Sequence, residues 1–155
     1  MKIRKVKPEE VSQIADLQQG LMLREKKIDP TYFDISKYAK KRFVEFAKKK
    51  IENRNSRLLV AIVDDKIVAY ILGWVKERPP VLKLKTIGYI SDCFVMKKFR
   101  RKGIGEKLVQ RMLAWFKTKK LSHAELIVTS RNKLGLSVWK DLGFKEYRKI
   151  MRRKI

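Results

Sequence analysis

The order of hydrophobic and polar positions predicts two helices in the first third of the chain. Apolar residues recur at helical spacing over residues 8–21 and again over residues 35–51. Pro8 suits a first helical turn, and Asp29-Pro30 interrupts the pattern between the two helices. Ahead of them, residues 2–7 alternate weakly between apolar and basic side chains, which predicts a short edge strand.

The middle of the chain follows the shorter period of strands. Residues 58–63 and 67–75 are apolar runs joined by Asp64-Asp65-Lys66, which predicts an antiparallel hairpin with a tight turn. After a loop at Pro79-Pro80, residues 82–95 predict a long third strand. Gly88 lies inside that strand as a candidate bulge or kink.

The last third alternates helices with strands. A strongly amphipathic helix is predicted over 104–119, a short apolar strand over 124–128 and a helix from 131 to Gly143, where glycine suits a left-handed cap. Residues 144–155 predict a final strand. This order predicts an α/β fold with one mixed, mostly antiparallel sheet of about six strands and helices on both faces.

Length and composition narrow the class of protein. A chain of 155 residues with a 45% hydrophobic set suits a single domain spanning 1–155 and excludes disorder over the whole length. One cysteine and one histidine exclude an intramolecular disulfide and a metal site built on two imidazoles. No signal peptide and no run near the ~20 apolar residues of a membrane span is visible, so we expect a cytoplasmic protein without a membrane partner.

The charge is strongly positive. Forty Lys and Arg against 16 Asp and Glu give a net charge of +24, which attracts polyanions. The basic residues are spread along the whole chain and accompany no nucleic-acid recognition motif, so a nucleic-acid partner stays open but is not favoured. Such dense charge is also typical of proteins from thermophiles.

One turn combines several features of an anion site. Gly103 and Gly105 lie between the third strand and the amphipathic helix, where backbone amides meet the positive end of a helix dipole. Arg100, Arg101 and Lys102 add positive charge. These features predict a phosphate site, although a tight turn beside a solvated basic patch is the alternative. The segment lacks the Rossmann and Walker patterns.

Residues 100–105 (Arg-Arg-Lys-Gly-Ile-Gly) resemble the pyrophosphate loop of the GCN5-related N-acetyltransferases, the GNAT superfamily. Val95, eight residues before Gly103, also resembles that pattern. Asn132, Trp139 and Gly143-Phe144 are similar to the second motif of the family, and the likeness covers about residues 58–144. The chain is therefore identified as a member of this superfamily.

The resemblance implies acetyl-CoA as cosubstrate, held in a V-shaped opening where the parallel strands 82–95 and 124–128 splay apart. It also implies N-acetyl transfer to a primary amine by direct attack on the thioester. The acceptor, a small amine or a peptide or protein amine, stays open. The residues that the resemblance places against acetyl-CoA are Cys93, Phe94, Val95, Arg100, Arg101, Lys102, Gly103, Ile104, Gly105, Glu106, Asn132 and Trp139.

The proton-transfer groups depart from the family pattern. Many members carry a tyrosine where Trp139 stands, and an indole is too weak an acid to protonate a thiolate. Asp92 and Tyr89 are the candidate catalytic residues, each weighed against a structural role. Ser91 replaces an acid of polyamine acetyltransferases, which weakens a polyamine interpretation. Residues 23–34 are expected to form the rim of the acceptor site.

A second interpretation is a basic nucleic-acid-binding or regulatory module on a GNAT scaffold. Trp139 favours it, whereas the retained Gly103, Gly105 and Asn132 oppose it, because a pure binding module needs no phosphate cradle. Relatives are often homodimers, and no segment of this chain indicates whether it is one.

Overall fold

A computed structural model describes residues 1–155 as a five-stranded sheet in the order β1-β2-β3-β4-β5, with four α-helices. All neighbouring strands are antiparallel except β4 and β5, which are parallel. The strands are β1 (Lys2–Lys5), β2 (Ser56–Val63), β3 (Lys66–Glu77), β4 (Thr86–Val95) and β5 (Ala124–Glu125). The helices are α1 (Val11–Ile28), α2 (Ala39–Glu52), α3 (Ile104–Thr118) and α4 (Lys133–Asp141). The predicted α/β class is confirmed, with five strands instead of about six.

The sheet separates two hydrophobic cores. On one face, Ala69 and Ile71 of β3 pack with the apolar stripe of α3, including Met112 and Phe116. On the other face, Tyr70, Leu72 and their neighbours pack against α1 and α2. Alternate residues of β3 therefore enter opposite cores, as the period of a buried central strand requires. We refer to the second face as the α1–α2 face.

The irregularity in β4 lies three residues beyond the position expected from the sequence. The pairing of β3 with β4 passes from Leu72–Asp92 to Gly73–Ile90, so Ser91 is the extra residue of a bulge. Gly88 instead permits close packing, since a Cβ there would lie 2.5 Å from the Phe116 ring. The prediction of a bulge or kink at Gly88 was therefore wrong.

The C-terminal strand predicted over 144–155 is absent. Strand β5 ends after two residues, at Glu125, and so offers no ladder for a further strand. Side chains hold the tail in place instead: Tyr147 donates a hydrogen bond to Glu125, and Arg152 pairs with Asp29. The predicted strand over 124–128 is likewise shorter in the structure. Strand β4 begins at Thr86 and not at residue 82, because the loop before it is closed by a hydrogen bond of 2.9 Å from Arg78 N–H to Lys85 C=O.

The helices differ from their predicted bounds mainly in α1. This helix continues to Ile28, beyond the predicted end near residue 21, because residues 22–27 are all strong helix formers. The second helix starts at Ala39, four residues later than predicted. None of the four helices combines the length and the apolar character needed to cross a membrane.

Candidate active site

The parallel strands β4 and β5 touch only at one end and then separate. Gly88 pairs with Ala124 and Tyr89 with Glu125, while β4 continues alone on this side to Val95. Beyond Tyr89 the edge of β4 that faces away from β3 has no strand beside it. An unpaired strand edge offers backbone donors and acceptors to an extended ligand.

The turn after β4 presents a row of free amides. Gly103 caps α3 with φ +71°, and Arg101 has φ +58°. The amides from Arg101 to Glu106 donate to no backbone or side-chain acceptor of the protein. A Cβ at Gly103 would meet nothing within 4 Å, so the space in front of these amides is open. Consecutive free N–H groups at the start of a 15-residue helix are a geometry that suits an anion.

The three basic residues of this turn have different roles. Arg100 is turned inward, where its Nε donates to the Val95 carbonyl at 2.8 Å and its guanidinium lies 5.6 Å from the centre of the Phe94 ring. Burial lowers the pKa of Arg100 from its usual value. Arg101 and Lys102 are exposed. Arg100 therefore fixes the turn to the end of β4, and the other two supply solvated positive charge.

Asn132 and Glu25 connect the start of α4 to helix α1. The Asn132 side chain caps α4 by accepting from Gly135 N–H at 2.9 Å, and its amide donates to Glu25 at 3.1 Å. Thr129 donates to the other Glu25 oxygen at 3.3 Å. Helix α1 is thereby tied to the segment that follows β5. The family resemblance did not indicate Glu25, and no local signal could, because it lies 107 residues before Asn132.

Trp139 serves the packing of α4. Its ring lies 5.3 Å from the Phe144 ring in an edge-on arrangement, and it packs beside the core under α3. Cys93 packs against the same core, and burial raises the pKa of its thiol to about 12. At neutral pH this thiol is not a nucleophile.

The bulge at Ser91 brings Tyr89 and Asp92 to the α1–α2 face together. The Tyr89 ring packs against the Trp74 ring at a tilt of 56°, with ring centres 5.1 Å apart. Asp92 stands opposite Leu72 of the core on that face. Burial raises the pKa of the Tyr89 phenol, which is therefore neutral at pH 7. Burial also raises the pKa of Asp92 to about 6, while a hydrogen bond from Ser91 opposes this shift.

No cation neutralises Asp92. None of the ion pairs includes it, although the chain has 40 Lys and Arg. Its neighbour Tyr70 is fully buried, and the Tyr70 hydroxyl has no hydrogen-bond partner. A half-buried carboxylate without a cation beside it, and with a pKa of about 6, can take a proton from a bound group at neutral pH.

Four further contacts enclose this region. Lys76 lies 4.7 Å from the centre of the Tyr89 ring and pairs with Glu125 at 3.2 Å, and Tyr147 of the C-terminal tail donates to the same carboxylate. Asp29 at the end of α1 accepts from Arg152 at 3.0 Å. The C-terminal tail therefore stands beside the α1–α2 face where a further strand was expected.

The predicted rim over residues 23–34 is partly helical. Residues 23–28 belong to α1, and the turn beyond holds Tyr32 and Phe33 with ring centres 4.9 Å apart. Tyr32 is exposed, and its backbone N–H donates to Asp29 at 3.2 Å. Asp34, the last residue of the predicted rim, pairs with Lys26 at 3.1 Å, so that its charge is already compensated.

Comparison with known proteins gives one family. The model of the acetyltransferase (GNAT) family matches residues 21–144. No curated protein sequence matches the chain.

Solved structures share its fold at low identity. A mutant of the BH1408 protein from Bacillus halodurans is 22% identical, with a TM-score of 0.88 over 100% of this chain and 99% of that one. A predicted acetyltransferase from Clostridium acetobutylicum, solved with acetyl-CoA, is 20% identical, with a TM-score of 0.81 over 99% and 95%. The aminoglycoside 6'-N-acetyltransferase AAC(6')-IG from Acinetobacter haemolyticus is 14% identical, with a TM-score of 0.79 over 100% and 98%.

Proposed function

This chain belongs to the acetyltransferase (GNAT) family, and we propose that it transfers the acetyl group of acetyl-CoA to a primary amine. The observation that supports this most is the row of free amides from Arg101 to Glu106 at the start of α3. Acetyl-CoA carries a pyrophosphate whose oxygens suit such a row. Its pantetheine arm is long and has two amides, which suit the unpaired edge of β4.

The residues present fit this cosubstrate. Gly103 leaves the space in front of the amides open, and Arg101 and Lys102 add positive charge for the phosphates. Val95 lies under the turn, since a Cβ on Gly105 would be 3.6 Å from its methyl group. In the reaction, a free amide of β4 between Ile90 and Val95 stabilises the oxygen of the thioester carbonyl.

The acetyl transfer itself is a direct displacement. A neutral amine nitrogen attacks the carbonyl carbon of the thioester, so that the N–C bond forms and the C–S bond breaks. CoA leaves as the thiolate and is protonated by water. The proton lost from the amine goes to a base on the protein or, through water, to solvent.

Asp92 is our candidate for that base, and Tyr89 is our candidate for positioning the amine. The Asp92 carboxylate faces the side of the sheet from which an acceptor reaches the opening, and its pKa near 6 leaves it ionised at pH 7. The Tyr89 phenol stays protonated and can hydrogen-bond the incoming nitrogen. Trp139, packed on Phe144, takes no part in proton transfer.

A basic binding module remains the second candidate, because one surface favours it. Helix α2 carries a shallow pocket of about 590 Å³ lined by lysines around the exposed ring of Tyr38. Lys37 lies 4.9 Å from the centre of that ring. A basic surface with an exposed aromatic side chain suits single-stranded nucleic acid. Binding there would weaken steeply with salt, whereas binding of acetyl-CoA, which also uses the uncharged pantetheine arm, would weaken less.

Two glycine variants test the proposed function. Gly103 and Gly143 both have positive φ and open space where a Cβ would stand, so leucine at either position strains the backbone alike. Only Gly103 lies at the free amides. We expect Gly103→Leu to abolish acetyl-CoA binding in a calorimetric titration, while Gly143→Leu retains it. Equal affinities in both variants would exclude the phosphate site at this turn.

A further inference from the structure

A pocket opens on the α1–α2 face at the start of β4. Its volume is about 280 Å³, and it lies between the loop before β4, strand β5 and the C-terminal tail. The side chains that determine its chemistry are Arg78, Leu84, Ile87, Glu125, Lys145 and Tyr147. We refer to it as the Arg78 pocket.

The Arg78 pocket and Asp92 are two ends of one surface. Ile87 lines the pocket, Tyr89 follows on the same face of β4, and Asp92 joins that face because of the bulge at Ser91. At about 3.3 Å per residue, Ile87 and Asp92 are roughly 15 Å apart. A small amine cannot reach both ends, whereas an extended peptide of four or five residues can.

The charges at the two ends are opposite. Asp92 has no cation, while neither Arg78 nor Lys145 has an acidic partner within ion-pair distance. The one acid of the pocket, Glu125, already binds Lys76 and Tyr147. An acceptor with an ammonium at one end and a carboxylate at the other therefore complements this surface.

The net charge of the whole chain also favours an acceptor that carries an anionic group. A net charge of +24 repels polycations and steers anionic molecules toward the protein. Only the amine itself has to be held near an acid, and Asp92 supplies that locally. The acceptor that this chain favours is therefore anionic outside its reactive amine.

We propose, on the basis of the proposed acetyltransferase function, that the acceptor is the amine of an acidic peptide whose anionic group binds Arg78 and Lys145, about 15 Å from the amine at Asp92. The chemical step is the displacement described above. The Arg78 pocket thus determines specificity and takes no part in the chemistry. The test compares two peptides with the same free N-terminal glycine and neutral spacer, one ending in two glutamates and the other in two arginines.

The measurement is kcat/KM for acetyl transfer to each peptide at low and high salt. We expect the glutamate peptide to be favoured about tenfold at low salt, and the ratio to fall toward one as salt screens the charges. Arg78→Glu and Lys145→Glu should each remove the preference. Lys66→Glu makes the same charge change at the opposite end of β3 and should retain it.

Three results would overturn this inference. The arginine peptide could be acetylated as well as the glutamate peptide, or the preference could survive in both pocket variants, or only small amines could be acetylated. In each case the proposed acetyltransferase function would still stand. That function fails separately if acetyl-CoA does not bind, which the same protein samples show by calorimetry.

Discussion

Tyr89 and Asp92 lie three positions apart in β4, yet both side chains project from the α1–α2 face. In a regular strand, residues three apart lie on opposite faces. The bulge at Ser91 resets the alternation, so that Ile90 and Cys93 enter the core under α3 while Asp92 stands on the other side. The bulge therefore brings the two candidate catalytic residues together beside the opening between β4 and β5.

Replacing Asp92 tests its role as the base. Asp92→Asn keeps the shape of the side chain and removes its proton affinity, so kcat should fall about 10²- to 10³-fold with unchanged affinity for acetyl-CoA. The matched control is Asp65→Asn in the exposed hairpin turn, where φ is +57° and asparagine is tolerated. An Asp92→Asn enzyme with full activity would remove Asp92 from the mechanism.

The pH dependence of activity follows from the same group. A base must be ionised, and burial raises the pKa of Asp92 to about 6. The value of kcat/KM should therefore rise as the pH passes through about 6 and then level off. A pH profile of the wild-type enzyme checks this, with kcat/KM calculated for the concentration of neutral amine at each pH. A flat profile between pH 5 and 7 would contradict the assignment.

The raised pKa of Asp92 also has a cost in stability. The folded chain holds the Asp92 proton more tightly than the unfolded chain, in which the carboxyl has its usual pKa of 3.8. The stability that the folded state gains from holding this proton is thus fully present below about pH 4 and is lost as the pH rises through about 6. The free energy of unfolding of Asp92→Asn, measured in urea, should exceed that of the wild type by about 2 kcal/mol at pH 8 and by little at pH 4.

The pair of Arg4 and Glu10 gives the opposite pH dependence. Two hydrogen bonds of 2.8 and 2.6 Å from the Arg4 guanidinium lower the pKa of Glu10 from 4.5 to about 2. The stability contributed by the ionised Glu10 carboxylate is present above about pH 4.5 and is lost as the pH falls through about 2. Glu10→Gln should cost about 1–2 kcal/mol at pH 7, measured by urea unfolding. Asp16→Asn, which breaks an exposed pair with Lys40, should cost less than about 1 kcal/mol.

Gly88 is expected to tolerate no side chain. A Cβ would lie 2.5 Å from the Phe116 ring, so Gly88→Ala should destabilise the fold by about 1–3 kcal/mol. The combination with Phe116→Leu, which removes the ring, should recover part of the loss in thermal unfolding. Additive losses in the double variant would show that the two residues do not meet.

The sequence predicted the features that depend on neighbouring residues. The tight turn predicted at Asp64 and Asp65 is present, and both residues adopt positive φ there. Gly103 and Gly143 both adopt the left-handed conformation that glycine favours. The row of free amides follows from the same local signals, since a strand, a glycine turn and a helix come one after another in the chain.

The contacts that complete the site join distant residues and have no local signal. Glu25 reaches Asn132 over 107 positions, and Arg152 reaches Asp29 over 123. The final strand was predicted because residues 144–155 alternate bulky and basic side chains, but a strand needs a neighbour, and β5 is too short to be one. The bulge was expected at Gly88, where packing and not backbone irregularity requires glycine.

Backbone NMR of the nitrogen-15-labelled protein tests the central claim most directly. Acetyl-CoA and S-acetylpantetheine, which lacks the pyrophosphate, should both shift the amide resonances of β4 between Ile90 and Val95. Only acetyl-CoA should shift those from Arg101 to Glu106, with saturation at micromolar concentration. Shifts confined to α2 and its lysines, or equal shifts at the turn with both ligands, would contradict the account.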